Sequence, residues 1–174
     1  MRASGVPAEL RTERLLLRRW GEQDVDPLAA IYAQPAFQEF MGPVDRAGTV
    51  AQIERFEAEW DSGRPSHWAA EDLATGELVG RAGLLRHGDW LVPEALEVGW
   101  SLAPSHWGRG LATEAGRASV DVWRRGLADA RLHSFTRTYN RRSRAVMERL
   151  GMTPRGTLWW RGSIHVWYAL DRAG

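Results

Sequence analysis

Two spacings of apolar positions alternate along the chain, and each change of spacing predicts an element boundary. Leu15, Leu16, Leu17 and Trp20 make a short apolar run flanked by Arg14, Arg18 and Arg19, which predicts a strand over 13–20 after a loose lead-in at 1–12. Asp26 followed by Pro27 gives an N-cap and a first-turn proline, and Leu28, Ile31 and Tyr32 share one face, so a helix is predicted over 25–34, stopped by Pro35. Proline, glycine and scattered aromatics make 35–48 read as a loop. Thr49 and Gln52 fit a capping box, and Val50, Ile53, Phe56 and Trp60 recur at helical spacing over 50–61.

The spacing then drops to two. His67–Leu73 and Leu78–Leu85 read as strands of a hairpin around Ala74–Glu77, followed by a loop at 86–94. Leu96, Val98, Trp100 and Leu102 alternate with Glu97, Gly99 and Ser101, which marks a strand with one apolar face over 95–102. Leu111, Ala115, Ala118 and Val122 give a helix at 110–125, with Glu114, Arg117, Asp121 and Arg124 toward solvent. A strand follows at 133–138. Asn140 then caps a short helix carrying Val146 and Leu150, and Gly151 ends it. Thr157–Trp160 and Ile164–Leu170 flank Arg161-Gly162-Ser163 as a terminal hairpin.

The predicted order is β-α-α-β-β-β-α-β-α-β-β, with neither repeat nor linker. It implies one domain over 1–174, with a core at about 9–171, and an α/β fold. The sheet is mixed and mostly antiparallel, flanked by helices. The β-α-β unit at 95–138 pairs its strands in parallel.

Composition narrows the chemistry. At 174 residues the chain buries roughly 70% of its unfolded surface, enough for a core without staples. It has no cysteine, which excludes disulfides, thiolate zinc sites and cysteine nucleophiles. All 23 basic residues are arginine, so lysine Schiff-base and lysine general-base chemistry are excluded too. A net charge of +1 gives no support to nucleic-acid binding. The five histidines show no metal-ligand spacing, so no metal is expected. No run approaches the roughly 18 apolar residues of a membrane span, and MRASGVPAEL lacks a signal-peptide core. The expectation is a cytoplasmic protein off the membrane, as monomer or homodimer.

The chemistry is concentrated at 95–125. Gly108 and Gly110 bracket Arg109 where a helix begins. Glycine lets backbone approach a ligand closely, and helix N-terminal amides favour an anion. WGRGLA therefore reads as a diphosphate cradle, although short Gly-x-Gly loops also serve only to turn a chain.

Three stretches turn this into a family resemblance. ELRTERLLLRRW, EVGWSLAPSHWGRGLATEA and NRRSRAVMERLGM occur in the order and spacing that resemble the GNAT superfamily of acyl-CoA-dependent N-acetyltransferases. Within it the chain is most similar to the ribosomal-protein-alanine acetyltransferase (RimJ/RimL-like) branch. The resemblance spans about 9–171 and implies a cleft for acetyl-CoA where the family's fourth and fifth strands splay, here 95–102 and 133–138. It implies that Trp107, Gly108, Arg109, Gly110, Leu111 and Ala112 hold the diphosphate, with Trp107 replacing the usual first residue of the loop. Leu102 would offer backbone to the pantetheine arm and Asn140 a hydrogen bond, although Asn140 reads equally as a plain N-cap.

The implied activity is transfer of an acetyl group to a primary amine, on a protein N-terminus or a small molecule, by direct attack. Such an amine is mostly protonated at neutral pH and needs a base. Glu97 interrupts an apolar strand and is the candidate base or water-positioner. Many relatives use a tyrosine to protonate the leaving thiolate; the matching position is Met147, and Ser143 is the nearest alternative donor. Arg141, Arg142 and Arg144 crowd a helix first turn against its dipole. One or more of them, with Arg142 and Arg144 the residues to test and Arg144 the one assigned to the cofactor, is expected to meet a CoA phosphate; the alternative is that they extend into water. Candidate acceptor walls are Phe37, Phe40, Met41, Trp90, Trp159, Trp160 and Trp167, with Trp60, Trp100 and Trp123 in the core. The competing reading is a catalytically silent acyl-CoA-binding or regulatory module, which Met147 favours and Glu97 opposes.

Overall fold

The computed structural model describes residues 5–172. One eight-stranded sheet runs through them, in the order β1-β2-β3-β4-β5-β6-β8-β7. The strands are β1 (Leu10–Arg11), β2 (Leu15–Arg18), β3 (His67–Asp72), β4 (Leu78–His87), β5 (Ala95–Leu102), β6 (Arg131–Arg137), β7 (Thr153–Trp160) and β8 (Ser163–Asp171). The helices are α1 (Val25–Tyr32), α2 (Pro35–Met41), α3 (Arg46–Asp61), α4 (Leu111–Gly126) and α5 (Arg141–Arg149). All neighbouring strands pair antiparallel except β5 and β6, which are parallel.

The period-two pattern divides the sheet into two faces, each with its own core. Trp68, Leu84, Leu96, Val98, Leu132 and Tyr168 pack against α4 and α5 through Leu111, Trp123 and Val146. On the other face, Ala69 and Leu85 meet Leu28, Tyr32, Phe37, Ile53 and Phe56 of α1–α3. Trp60 and Trp123 are core residues as expected, while Trp100 is only partly buried against the first cluster.

Local capping explains where the structure departs from the spacing. Residues 35–41 are helical rather than a loop: Pro35 occupies the first helical position instead of ending α1, and Gly42 closes α2 at φ +76°. Phe37, 3% exposed, anchors this helix against Tyr32 at 4.9 Å between ring centroids. Helix α3 begins before Thr49, because Asp45 caps it by accepting from the Gly48 amide at 2.7 Å, a contact worth about 1 kcal/mol. Thr49 is then a buried first-turn residue donating to the Asp45 carbonyl at 2.9 Å.

The lead-in is ordered over its described part. Val6 is buried, Gly5 lies against Gly126, and β1 pairs with β2; residues 1–4 fall outside the described region. Glu114 is not directed to solvent. It accepts from Thr12 Oγ1 at 2.6 Å and from the Arg14 amide and Nε at 2.7 Å each, tying the first hairpin to α4. Strand β4 continues to His87, two residues past the predicted end, and β7 begins at Thr153.

Candidate active site

β4 and β5 pair over eight residues and β6 and β8 over seven, but β5 and β6 register at a single pair, Glu97 with His133. Beyond it the two strands part toward their C-terminal ends, the side on which open parallel units bind ligands. The result is a cleft of about 1130 Å³, bordered by Gly99–Leu102 on one side and Ser134–Arg137 on the other.

The glycine loop and α4 close one end of this cleft. Gly108 (φ +73°) and Gly110 (φ +78°) both adopt the left-handed conformation, and Gly110 is the α4 N-cap. A Cβ at Gly108 would meet nothing within 4 Å, so the loop backbone faces open space. The amides of the first turn of α4 lack intrahelical acceptors, and they carry the positive end of the helix dipole. Gly108, Gly110, Leu111 and Ala112 line the cleft. This arrangement fits a diphosphate.

The remaining residues of the loop divide. Trp107 donates its indole N–H to the Leu102 carbonyl at 2.8 Å, and Arg142 lies over its ring at 5.0 Å. Leu102 therefore borders the cleft with its carbonyl already occupied. The Arg109 side chain does not line the cleft; its guanidinium lies 3.9 Å from Asp72, and its carbonyl accepts from Arg14 Nη1 at 2.8 Å.

Asn140 is the N-cap of α5 and also borders the cleft. Its Oδ1 accepts from the Ser143 amide at 3.2 Å as an N-cap, its Nδ2 donates to Thr136 Oγ1 at 3.0 Å, and it lines the cleft. Ser143 Oγ accepts from Asn140 Nδ2 at 3.3 Å, which leaves its own hydrogen free to donate. Arg144 is turned away. Its Nη1 donates to the Thr138 carbonyl at 3.0 Å and its Nε to Tyr168 Oη at 3.3 Å, whereas Arg141, Arg142 and Arg149 face the cleft. Met147 is 1% exposed in the core.

Glu97 stands on the floor of the other half, 8% exposed, with Oε2 at 2.5 Å from His87 Nε2. Strand alternation puts Glu97, Gly99 and Ser101 on one face, and their β4 partners Leu85, Gly83 and Arg81 beside them. Four of the expected acceptor walls line the cleft, Phe37, Phe40, Met41 and Trp160, with Phe40 set edge-on against Trp107 of the glycine loop at 5.9 Å. Trp90 stacks on Phe135, Trp167 stacks on His133, and Trp159 is exposed outside.

His67, Arg81 and His87 complete this floor, and the sequence pattern alone does not mark the two histidines. Arg81 interrupts the apolar run VGRAGLL much as Glu97 interrupts its own strand, which is the one local signal in the sequence for this cluster. Arg81 is buried, with Nε donating to Tyr32 Oη at 3.0 Å and Nη1 at 2.6 Å from His67 Nδ1. Burial, reinforced by the positive charge of Arg81, pushes the His67 imidazole well below its ordinary 6.5. His133 and His165 are also pushed down, chiefly by burial.

These shifts fix a sign for acid stability. Below about pH 6.5 the unfolded chain protonates these imidazoles, while the native state keeps His67 neutral. Stability should therefore fall with pH by up to about 1.4 kcal/mol per unit for each such imidazole, and gain nothing from them above that pH. Urea melts at several pH values down to 5 should show the slope, reduced in His67→Gln. A flat profile would contradict it.

Comparison with known proteins agrees with this geometry. Residues 14–153 match the acetyltransferase (GNAT) domain family. The chain is 26% identical over 154 residues to the uncharacterized N-acetyltransferase YoaA of Bacillus subtilis (strain 168), covering 86% of this chain and 85% of that one. It superposes on an acetyltransferase from Agrobacterium tumefaciens str. C58 with a TM-score of 0.82 at 31% identity, covering 96% and 95% of the two chains. Mycobacterium smegmatis RimJ, in a complex with CoA-disulfide, shares the fold at a TM-score of 0.75 and 23% identity, covering 96% and 88%. Among the described residues no helix is long and apolar enough to cross a membrane, and no group of three or more metal-ligating side chains occurs. With the family match spanning most of the fold, including the glycine loop, Glu97 and Asn140, the chain belongs to the GNAT acetyltransferases and is an acyltransferase.

Proposed function

We propose that the protein transfers the acetyl group of acetyl-CoA to a primary amine by direct attack within the β5/β6 cleft. The observation that carries this reading is a buried carboxylate, Glu97, in the same cleft as an open glycine loop at a helix N-terminus. Acetyl-CoA is a substrate, and it supplies an activated acyl carbon on a thiolate leaving group. The backbone amides of Gly108–Ala112 hold its diphosphate, Trp107 braces the loop, and Asn140 and the parted edge of β5 near Leu102 hold the pantetheine arm.

Glu97, oriented by His87, takes the proton that the amine must lose, directly or through one water. The nitrogen then bonds to the acyl carbon, the carbon–sulfur bond breaks, and the thiolate leaves. Ser143 donates a hydrogen bond to that thiolate or to a water beside it. Most of the rate enhancement comes from holding amine and thioester together.

Thiol release from acetyl-CoA, followed against a panel of peptides, amino acids, polyamines and aminoglycosides, tests the reading. Silence across the panel, with CoA still bound in calorimetry, would overturn it.

The cleft-facing arginines of α5 refine the expectation for the phosphates. Arg142→Ala should raise the KM for acetyl-CoA about tenfold, the cost of one charge-assisted contact. Arg144→Ala should act mainly through stability, by losing Thr138 and Tyr168. A KM that responds more to Arg144 than to Arg142 would reverse the assignment.

A further inference from the structure

The cleft has a lopsided charge. Nine arginines line it against three carboxylates, Glu13, Glu97 and Glu114. Glu114 is committed to Arg14 and Thr12, and Glu97 to His87. The arginines of the glycine-loop end suit the phosphates of the acyl donor. Three others, Arg55, Arg81 and Arg137, line the half that holds Glu97, and none of them has a carboxylate partner within 4 Å among the described residues.

Arg81 is the informative one. It is 8% exposed, and a buried guanidinium without a counter-charge is costly unless something neutralises it. Its neighbours are neutral: Tyr32 Oη accepts from Nε, and Phe56 lies under its Cζ at 5.6 Å. Its Nη2 has no hydrogen-bond partner among the described residues. The contact between Nη1 and His67 Nδ1 also fixes a tautomer. Arginine only donates, so Nδ1 accepts, and the neutral ring carries its hydrogen on Nε2. That Nε2 is buried in a residue 1% exposed, lines the cleft and has no partner.

These donors lie beside Glu97. A Cβ placed on Gly99 would stand 3.2 Å from His67 Nε2 and 3.1 Å from Glu97 Oε1. The base and the orphan donor thus converge over Gly99, where only the missing side chain leaves room for both, and both border the cleft.

We infer that Arg81 and His67, with Arg55 at the rim, form an anion subsite for the acceptor, which carries a carboxylate or phosphate a few bonds from its reacting amine. This rests on the transfer reading above. It places the acceptor among zwitterionic amines and excludes polycations such as polyamines, which the uncompensated arginines repel. The anion neutralises Arg81 and takes the His67 N–H, while its amine reaches Glu97.

Matched acceptor pairs test this, each differing only in the anion: amino acids against their amides, aminoalkyl phosphates against amino alcohols, and peptides beginning with Asp or Glu against Asn or Gln. The three arms distinguish a free carboxylate, a phosphate and an acidic peptide end. At least one anionic member should show a kcat/KM about 10- to 100-fold above its neutral partner, the range of a charge-assisted contact. Arg81→Gln should collapse that ratio toward one. Arg55→Gln, an exposed change that leaves the fold intact, should reduce it, and CoA affinity by calorimetry checks that each variant is folded.

Neutral amines or spermidine turned over as well as the anionic members would overturn the anion subsite and leave acetyl transfer standing. If no amine releases thiol, the transfer reading fails. The subsite is then decided by titrating CoA-loaded protein with N-acetyl amino acids and their amides: anion-selective binding lost in Arg81→Gln upholds it, and its absence overturns it.

Discussion

Replacing Glu97 with glutamine should lower kcat by about 10²- to 10⁴-fold, the usual worth of a positioned general base. Glutamine keeps the size of the side chain and a polar contact to His87 Nε2, which lies at 2.5 Å from the carboxylate. The fold is preserved, and what is lost is the ability to take a proton from an ammonium. Acetyl-CoA binding should persist, because Glu97 lies in the half of the cleft away from the glycine loop. Thiol release under saturating acetyl-CoA and amine is the measurement. An unchanged kcat would remove Glu97 from the proton path and leave it as part of the pocket wall.

Two facing glycines should separate stability from activity. Gly83 and Gly99 are cross-strand partners beneath the His67 ring, yet a methyl group at each meets different atoms. At Gly83 it would lie 2.7 Å from the Ser66 carbonyl oxygen and 2.8 Å from His67 Cα, both backbone, at a φ of +152° that side chains avoid. Gly83→Ala should therefore cost about 3 kcal/mol or more, from strain and from displacing β3. A melting temperature lower by roughly 6–12 °C would register it.

At Gly99 the nearest atoms to the methyl are side-chain atoms of Glu97 and His67, at 3.1–3.2 Å, which can yield by tenths of an ångström. Gly99→Ala should melt near the wild type but bind the acceptor poorly, because it fills the space between base and donor. If both variants lost stability equally, that space would be ordinary packing and not a substrate position.

The local signals that succeeded in the sequence were those with a local cause. The alternation around Glu97 put it on the correct face, because side chains in a strand point to opposite sides whatever they pair with. Gly108 and Gly110 marked the start of α4, because their conformation belongs to the loop itself. Asn140 announced its cap in the same way. Signals that failed depended on partners distant in the chain. Residues 35–41 read as a loop because proline and glycine punctuate them, and only Tyr32 and the second core make that segment a helix. Arg144 and Arg142 look alike in a helix first turn, and their different directions follow from Thr138 and Tyr168 on one side and Trp107 on the other.

By itself the sequence determined the family resemblance, the order of elements, the glycine loop and the lone carboxylate in an apolar strand. Each of these is written in neighbouring residues, within the reach of one strand or one helical turn. Only the tertiary structure decided what surrounds that carboxylate. His87, His67 and Arg81 lie 10, 30 and 16 positions from Glu97, and sheet register alone brings them to one floor. Whether a buried arginine meets a carboxylate or only neutral donors and acceptors depends on long-range pairing, and that pairing sets the charge an acceptor must bring.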